Sequence, residues 1–272
     1  MNPSLRVAVG QVAPGVDAAS NRAAIRRAID DGVQQGARLV LLPEESMLTA
    51  GEIDEGRADI VAREWPAFLA LLSDAARTHS VWIIAGGYEP SGTELPYNTI
   101  VVIGPEGEVV DSYRKLHLYD AFSYRESDYV TPGAEVPPVV MVDGVAVGIV
   151  NCYDIRFPEL TRDLVGRGAD VLAISAAWVG GTRKEDHWLT LMRARAIENT
   201  CWVLGAGTSS PDCIGSSLVI DPLGIVTQQM PPTGEHVLLA DVTLDRIAEV
   251  RHAVPSLANR RLTTAVSVQE QS

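Results

Sequence analysis

Strand-sized apolar segments alternate with helix-length amphipathic segments along the chain, and the same order occurs in both halves. In the first half the pattern predicts strands at residues 5–12, 38–42, 81–86, 99–104 and 108–113, with helices at 21–35 and 60–78. In the second half it predicts strands at 145–151, 170–175, 201–207, 217–221 and 225–229, with helices at 158–167 and 185–199. Each half is therefore expected to run strand, helix, strand, helix and then a series of strands.

Local similarities between the halves indicate an internal duplication. Residues 36–40 (GARLV) resemble residues 168–172 (GADVL), and the turn at 105–107 (PEG) resembles the turn at 222–224 (PLG). Two mixed sheets, each covered by helices on its outer face, would then pack against each other. We therefore expect an α/β fold, a four-layer α-β-β-α sandwich of two mixed sheets with an internal pseudo-repeat. It would form a single domain over residues 1–262, followed by a polar C-terminal tail at 263–272.

The composition excludes several classes of function. The chain has 272 residues, of which 46% are hydrophobic and 21% charged, as expected for a folded globular protein. Its apolar segments are too short to cross a bilayer, so no membrane partner is expected. A net charge of −13 argues against a nucleic-acid partner, which would call for a basic surface. The first residues run directly into a predicted strand without the features of a secretion signal, and a cytoplasmic location is expected.

The cysteine and histidine residues do not follow metal-binding or disulfide patterns. The chain has 3 cysteines, an odd number, which predicts reduced thiols in a chain expected to be cytoplasmic. No Cys-x-x-Cys pair is present and the 5 histidines lack ligand spacing, so no metal site is expected. Cys201 is predicted to lie in a buried strand, and Cys213 to be a loop thiol without a partner.

Cys152 differs from the other two cysteines in its position. It ends the apolar run at 145–150 and lies shortly before Pro158, where a helix is predicted to begin. A sulfur between a buried strand and a helix is expected to be exposed and close to helix N–H groups, which favour the reactive thiolate. The arrangement parallels the nucleophile elbow of serine hydrolases. The alternative is a core cysteine, because free cysteine is among the most buried residue types.

Two charged residues follow predicted strands in the first half. Glu44 comes directly after the apolar segment 39–43, at a sheet edge of the kind where α/β proteins build sites, and a carboxylate there suits a general base. Lys115 follows the strand at 108–113 among leucines and aromatic residues, which predicts a partly enclosed ammonium able to stabilise an oxyanion. Taken alone, each residue also fits an ordinary role, Glu44 as a solvated loop carboxylate and Lys115 as a surface lysine.

Together these segments resemble the nitrilase, or carbon–nitrogen hydrolase, superfamily. Its three catalytic blocks are similar to Pro43-Glu44, to residues 114–117 (RKLH) and to residues 151–159 (NCYDIRFPE), in the family's order and approximate spacing. The resemblance continues through 187–199 and 215–224, and so spans nearly the whole chain. Within the superfamily, residues 152–160 are most similar to the branch of omega-amidases and deaminated glutathione amidases.

The resemblance implies a role for each matching residue. Cys152 would be the nucleophile and Glu44 the general base, while Lys115 and the backbone N–H of Tyr153 would hold the oxyanion. Glu126, in the segment 124–128 (YRESD), matches the family's second glutamate, which orients the lysine and the substrate. On the residues alone Glu126 would be assigned as a loop charge. The implied reaction is acyl transfer through a thioester that releases ammonia, and it requires no cofactor.

The resemblance also suggests how a substrate is held. Arg156 matches an arginine that binds a substrate carboxylate in the omega-amidase branch, and a guanidinium suits bidentate carboxylate binding. The alternative is that Arg156 braces the turn by pairing with Asp154 or Glu159. Trp178, at a predicted strand end, is expected either to wall the pocket or to lie in the core. The segments 120–125 and 180–186 depart from the pattern of the eukaryotic amidases, and both are expected to line the entrance.

Several functions stay open at this point. The first is a cysteine amidase for a small linear carboxamide, with an α-keto-acid amide as the expected substrate. A nitrilase or an N-carbamoyl amidase would use the same catalytic residues. A non-catalytic scaffold or binding protein is a third possibility. The presence of all four matching residues argues against it: Glu44, Lys115, Glu126 and Cys152. The family resemblance further implies a homodimer or a higher homo-oligomer.

Overall fold

The computed structural model describes residues 3–53, 55–262 and 267–268. Its strands are β1 (Ser4–Gln11), β2 (Leu39–Leu41), β3 (Trp82–Glu89), β4 (Tyr97–Ile103), β5 (Val109–Arg114), β6 (Asp120–Ala121), β7 (Tyr124–Arg125), β8 (Val139–Val142), β9 (Val145–Asn151), β10 (Val171–Ala176), β11 (Trp202–Gly207), β12 (Leu218–Ile220), β13 (Val226–Gln229) and β14 (His236–Thr243). Its α-helices are α1 (Ala18–Gln34), α2 (Arg57–His79), α3 (Pro158–Gly166), α4 (Lys184–Asn199) and α5 (Leu244–Ala253).

The strands form two large mixed sheets with equivalent topology. The first has the order β14-β1-β2-β3-β4-β5, and the second has the order β13-β12-β11-β10-β9-β8. The parallel strands β1, β2 and β3 of the first sheet correspond to β9, β10 and β11 of the second, and each set is followed by antiparallel strands. The predicted fold class and its internal repeat are therefore confirmed.

The layers follow from which face of each strand is apolar. Facing side chains of the two sheets, among them Val7, Leu41, Val147 and Leu204, form one buried cluster between the sheets. The outer face of the first sheet packs against α1 and α2, and the outer face of the second packs against α3 and α4. Strands buried on both faces are continuously apolar rather than alternating, as the sequences of β2, β10 and β11 are. The result is the α-β-β-α sandwich.

Several elements differ from the sequence-based expectation. Strands β8 and β14 and helix α5 were not predicted. β8 has only four residues and follows a Pro-rich segment, so its pattern is weak. β14 returns from the end of the chain to pair with β1 over eight residues of the first sheet, a partnership that no local signal specifies. β14 and β8 nevertheless occupy equivalent positions, because each pairs antiparallel with the first parallel strand of its sheet, β1 and β9 respectively.

The structure does not test the predicted domain boundary or the predicted oligomer. Most of the predicted tail at 263–272 lies outside the described residues, and the single-domain boundary and the homo-oligomer stay predictions. In the described part of the chain, no helix is both long enough and apolar enough to cross a membrane.

A close backbone approach connects β3 to the segment after β2. Gly86 donates its N–H to the carbonyl of Pro43 at 3.0 Å. A Cβ at Gly86 would lie 2.0 Å from the carbonyl oxygen and 2.4 Å from the Cα of Glu44. Only a glycine lets the strand pass this close, so this position fixes where the Glu44 side chain begins.

We expect the substitution Gly86→Ala to lower the free energy of unfolding by about 1–3 kcal/mol or more. We also expect the activity to fall by more than the loss of folded protein explains. The added methyl meets backbone atoms, which cannot rotate away, so Glu44 must shift. Urea unfolding and steady-state kinetics on the same preparation would measure both effects. Gly166→Ala is the matched control, since a Cβ there meets nothing within 4 Å, and it should leave both unchanged or raise stability by up to about 1 kcal/mol. Wild-type behaviour of G86A would contradict the proposed constraint.

Candidate active site

The four residues that match the family's catalytic positions lie together between the two sheets. Glu44 follows β2, Lys115 follows β5, Glu126 begins a 3-10 turn after β7, and Cys152 follows β9. Their relative exposures are 3%, 2%, 3% and 7%, so all four are buried. Elements from both halves and from the connecting segment, residues 115–138 between the halves, therefore meet at one place.

Lys115 forms the centre of a buried ion network. Its Nζ donates to Glu44 Oε1 at 2.7 Å and to Glu126 Oε2 at 2.8 Å. Burial by itself favours the neutral amine, but the two carboxylates outweigh it and hold the pKa of Lys115 well above its usual value. The side chain is therefore a permanent cation. An ammonium group has a further N–H beyond these two bonds, which can be directed at a ligand.

Asn98 is a site residue that the sequence analysis missed. Its Nδ2 donates to Glu44 Oε1 and to Glu126 Oε1, each at 2.8 Å, while its Oδ1 accepts from Asn151 Nδ2 at 2.9 Å. It therefore fixes both glutamates and connects them to the strand that ends at Cys152. The available signal was a buried amide in the otherwise apolar strand β4, which alone does not indicate a partner.

The other oxygen of Glu44 points to the second sheet. Glu44 Oε2 accepts the backbone N–H of Ala177 at 2.7 Å, just beyond β10. Ser175 Oγ donates to the carbonyl of Leu42 at 2.7 Å and ties the same strand ends together. Burial raises the pKa of Glu44, yet the charge of Lys115 and these hydrogen bonds lower it overall. Glu44 is therefore a carboxylate at neutral pH.

Cys152 lies on a strained turn at the end of β9. Its φ is 43°, in the left-handed region that a non-glycine residue adopts at a cost of about 1–3 kcal/mol. Below it, the buried carboxylate of Asp154 accepts from Tyr113 Oη at 2.8 Å and contacts His117 Nδ1 at 2.7 Å. Asp154 Oδ2 also accepts the backbone N–H of Asn151 at 3.3 Å. These bonds hold the turn in the conformation that directs the sulfur into the pocket.

The expectation of an exposed thiolate at Cys152 is wrong. Burial is the largest cause that raises the pKa of Cys152 well above its usual value, and the charge of Glu44 raises it further while Lys115 lowers it. The thiol and the Glu44 carboxylate both line the same pocket. A short 3-10 turn, Cys152–Arg156, follows the cysteine before α3 begins, rather than a full helix. Cys152 is therefore a thiol with a base beside it.

The other two cysteines are placed differently. Cys201 is fully buried in the core between the second sheet and its helices, as predicted, but it lies one residue before β11 rather than in the strand. Cys213 lies in a loop that lines the pocket and is a free thiol, as the sequence predicted. Burial raises the pKa of Cys213 to about 11, so it too is a thiol at neutral pH.

Glu45 is a second carboxyl group that the sequence analysis did not single out. It lines the pocket beside Glu44, and Tyr88 Oη donates to its Oε1 at 2.5 Å. Burial and the charge of Glu44 raise the pKa of Glu45 to about 8. The group is therefore mostly protonated at neutral pH and adds little charge to the site.

The pocket above Cys152 has a volume of about 560 Å³, within the usual range for small-molecule sites. Tyr153, Arg156 and Trp178 all line it. The guanidinium carbon of Arg156 lies 4.8 Å from the centroid of the Trp178 ring and 5.9 Å from that of Tyr153. Trp178 donates its Nε1–H to the backbone carbonyl of Lys184 at 2.9 Å, which fixes the ring as one wall.

Arg156 does not brace the turn. Asp154 is already occupied by Tyr113 and His117, and among the described residues no carboxylate forms an ion pair with Arg156. Its Nε and Nη2 are buried and have no hydrogen-bond partner. These two atoms form one edge of the guanidinium, the edge that receives a carboxylate in bidentate fashion. The pocket therefore presents two buried donor atoms suited to binding an anion.

Comparison with known proteins identifies the family. The carbon–nitrogen hydrolase family model matches residues 6–252, which is most of the chain. The chain belongs to the carbon–nitrogen hydrolase family. Relatives of this hydrolase include a hydrolase of Mycobacterium tuberculosis, 35% identical over 94% of this chain and 95% of the relative. The deaminated glutathione amidase of Synechocystis is 38% identical over 85% of this chain and 89% of the relative.

Solved structures agree with this assignment. The NitFhit protein of C. elegans superposes on the hydrolase with a TM-score of 0.88 and 30% identity, covering 96% of this chain and 66% of that longer one. An amidase from Nesterenkonia sp. superposes with a TM-score of 0.79 and 26% identity, covering 96% of each chain. The predicted family and enzyme class are confirmed: the protein is a carbon–nitrogen hydrolase.

We expect Glu44→Gln to shift the thiolate titration of Cys152 to lower pH. The substitution removes a negative charge that raises the pKa of Cys152 and leaves the opposing charge of Lys115 in place. The ultraviolet absorbance of the thiolate, followed against pH, would measure the shift. The same titration of Cys152→Ala gives the background of Cys201 and Cys213, whose pKa values lie near about 12 and about 11. A shift to higher pH would contradict the electrostatic account.

Proposed function

We propose that the protein is a cysteine-dependent amidase that hydrolyses a small linear carboxamide bearing a carboxylate, such as the amide of an α-keto acid. The observation that carries the proposal is the buried group of Cys152, Glu44 and Lys115, in which the Glu44 carboxylate lies close enough to the Cys152 thiol to raise its pKa and accepts a hydrogen bond from the Lys115 ammonium at 2.7 Å. A nucleophile, its base and a fixed cation are the parts that acyl transfer requires.

The first half-reaction uses each of these groups once. Glu44 takes the proton as the Cys152 sulfur attacks the amide carbon, so the thiolate exists only while it forms the new bond. The carbonyl oxygen becomes an oxyanion, which the remaining N–H of Lys115 and the backbone N–H of Tyr153 stabilise. Glu44 then gives the proton to the nitrogen, the C–N bond breaks, and ammonia leaves behind a thioester on Cys152.

The second half-reaction returns the site to its starting state. Glu44 takes a proton from water as the water oxygen attacks the thioester carbon, and the same two donors hold the oxyanion again. The C–S bond breaks, the sulfur recovers its proton, and the carboxylic acid leaves. Glu126 and Asn98 act on the substrate only through Lys115 and Glu44, which they hold at 2.8 Å, and are therefore positioning residues.

The relatives support this chemistry. A structure of a mutant of the Nesterenkonia amidase is described as carrying the acetamide moiety of fluoroacetamide on its active-site cysteine. Several relatives are named deaminated glutathione amidase. The Nε and Nη2 edge of Arg156, which is buried without a hydrogen-bond partner next to the Trp178 ring, supports a carboxylate on the substrate.

We expect Cys152→Ala to lower ammonia release by more than about 10³-fold, because the nucleophile and the acyl-enzyme are lost together. The assay is a carboxamide panel of α-ketoglutaramate, deaminated glutathione, glutamine and aliphatic amides, with the released ammonia or amine measured. Cys201→Ala is the matched control, since that thiol is buried in the core away from the pocket. Turnover that survives in C152A would remove the proposed nucleophile. Nitrile turnover or release of carbon dioxide would instead indicate the nitrilase or N-carbamoyl alternatives.

We expect Arg156→Ala to lower kcat/KM for an amide that carries a carboxylate. The loss should correspond to about 2–5 kcal/mol of transition-state stabilisation, the range for leaving a buried charge without its partner. Kinetics on α-ketoglutaramate and on the uncharged butyramide would separate recognition from chemistry. The loss should appear for the charged amide and stay small for butyramide, because only the first needs the guanidinium. A loss below about threefold on the charged amide, well under the range for a lost charge partner, would reject this role.

A further inference from the structure

Lys184 is a second buried cation in the same pocket. It is the first residue of α4 and is only 4% exposed. Its Nζ lies over the rings of Tyr119, Phe122 and Trp178, at 4.7, 4.3 and 5.7 Å from their centroids. Among the described residues, the only hydrogen bond of this ammonium group is the one that it donates to Tyr119 Oη, at 2.5 Å. Lys184 belongs to the segment 180–186, which departs from the pattern of eukaryotic amidases.

The positive charges of Arg156 and Lys184 are not balanced by acidic side chains of the described residues. The charge of Arg156 lies close enough to Lys184 to lower the lysine's pKa, after the larger lowering caused by burial. Within residues 3–53, 55–262 and 267–268, no carboxylate forms an ion pair with either side chain, and the acids that begin α4, Glu185 and Asp186, are exposed. This differs from Lys115, which two buried carboxylates compensate. An anionic ligand would therefore compensate two adjacent positive charges.

The position of Lys184 is also unfavourable for the fold. The first turn of a helix carries partial positive charge from its free N–H groups and stabilises acids rather than lysine. A buried cation at that end, beside an arginine, is repelled by both. Trp178 holds it there through the hydrogen bond from its indole to the Lys184 carbonyl. Residues that oppose stability in this way are commonly kept for function.

The hydrogen-bonding groups at this end of the pocket are almost all donors. Arg156 offers Nε and Nη2, Lys184 offers the N–H groups not used by Tyr119, and Tyr119 accepts from Lys184 and keeps its own O–H to donate. One carboxylate satisfies the edge of Arg156 and neutralises one charge. The charge of Lys184 and its donors remain.

We propose that Lys184 is a specificity residue that selects amides carrying a second negative charge, so that the preferred substrate class is a dianionic amide. Arg156 binds one carboxylate and Lys184 the other, while the amide carbon lies at Cys152. The inference rests on the proposed amidase function, which it narrows from a carboxylate-bearing amide to a dicarboxylate-bearing one.

A matched pair of amides tests the proposal. The terminal monoamide of tricarballylic acid is glutaramate with one added carboxylate, so the two probes differ by a single charge. We expect the wild type to favour the tricarballylic monoamide in kcat/KM. Lys184→Gln should reduce that preference by about tenfold or more, the size of one charge-assisted hydrogen bond, while kcat/KM for glutaramate changes little. Arg156→Ala should lower kcat/KM for both amides.

Two further variants test whether the effect depends on the charge of Lys184 and on its position. Lys184→Arg preserves the charge and should keep the preference for the dianionic amide. Arg183→Gln removes one positive charge from the neighbouring exposed position, where Arg183 pairs with Asp186 at 3.3 Å, and should also keep it. Equal loss on both amides in K184Q, or a wild type that does not favour the added carboxylate, would overturn the inference. Ammonia release that survives in C152A would instead overturn Cys152 as the nucleophile, and a wild type that releases no ammonia from any amide would overturn the proposed amidase function.

Thermal unfolding gives a readout that does not depend on turnover. Because burial, Arg156 and the helix end all disfavour the Lys184 charge, K184Q should melt at a higher temperature than the wild type. Tricarballylate should raise the melting temperature of the wild type more than that of K184Q. A K184Q protein that melts lower, with no change in the ligand-induced shift, would assign Lys184 a structural role and overturn the proposal.

Discussion

The buried ion network around Lys115 is the interaction on which the rest of the site depends. A lone charge at this depth is costly, and removing one partner of a buried pair typically costs about 3–5 kcal/mol. The lysine is therefore stable there only when Glu44 and Glu126 are both in place, and the two glutamates in turn need Asn98. The charges are supplied by β2, β5 and the connecting segment. The site is complete only when all of these have packed.

The same network determines how the cysteine is kept. A carboxylate beside a buried thiol raises the thiol's pKa, so Cys152 rests in its protonated form. Under the proposed mechanism this is an advantage, because the proton that Glu44 removes is the one that the leaving nitrogen requires. Lys115 helps to keep Glu44 ionised, and under the same proposed mechanism it also faces the developing oxyanion. A single cation thus serves both the base and the transition state.

The pocket has two electrostatically different ends. At the reacting end, Lys115 is balanced by two carboxylates, and the neighbouring Glu45 is largely protonated. At the other end, Arg156 and Lys184 have no acidic partner among the described residues. A substrate with its charge at one end and an uncharged amide at the other can bind in only one orientation. Charge imbalance, rather than shape alone, would then position the amide carbon over the sulfur.

The sequence by itself determined the layered fold, the repeat, and the positions of Glu44, Lys115, Glu126 and Cys152 along the chain. Strand and helix periodicity and the motifs around Cys152 are local properties, so they can be found without coordinates. The tertiary structure decided the role of Asn98, the charge state of Cys152 and the pairing of β14 with β1. It also showed that Asp154 bonds to Tyr113 and His117 rather than to Arg156, and that Lys184 lies beside Arg156. These features depend on burial and on contacts between residues far apart in the chain, for which a linear sequence holds no local signal.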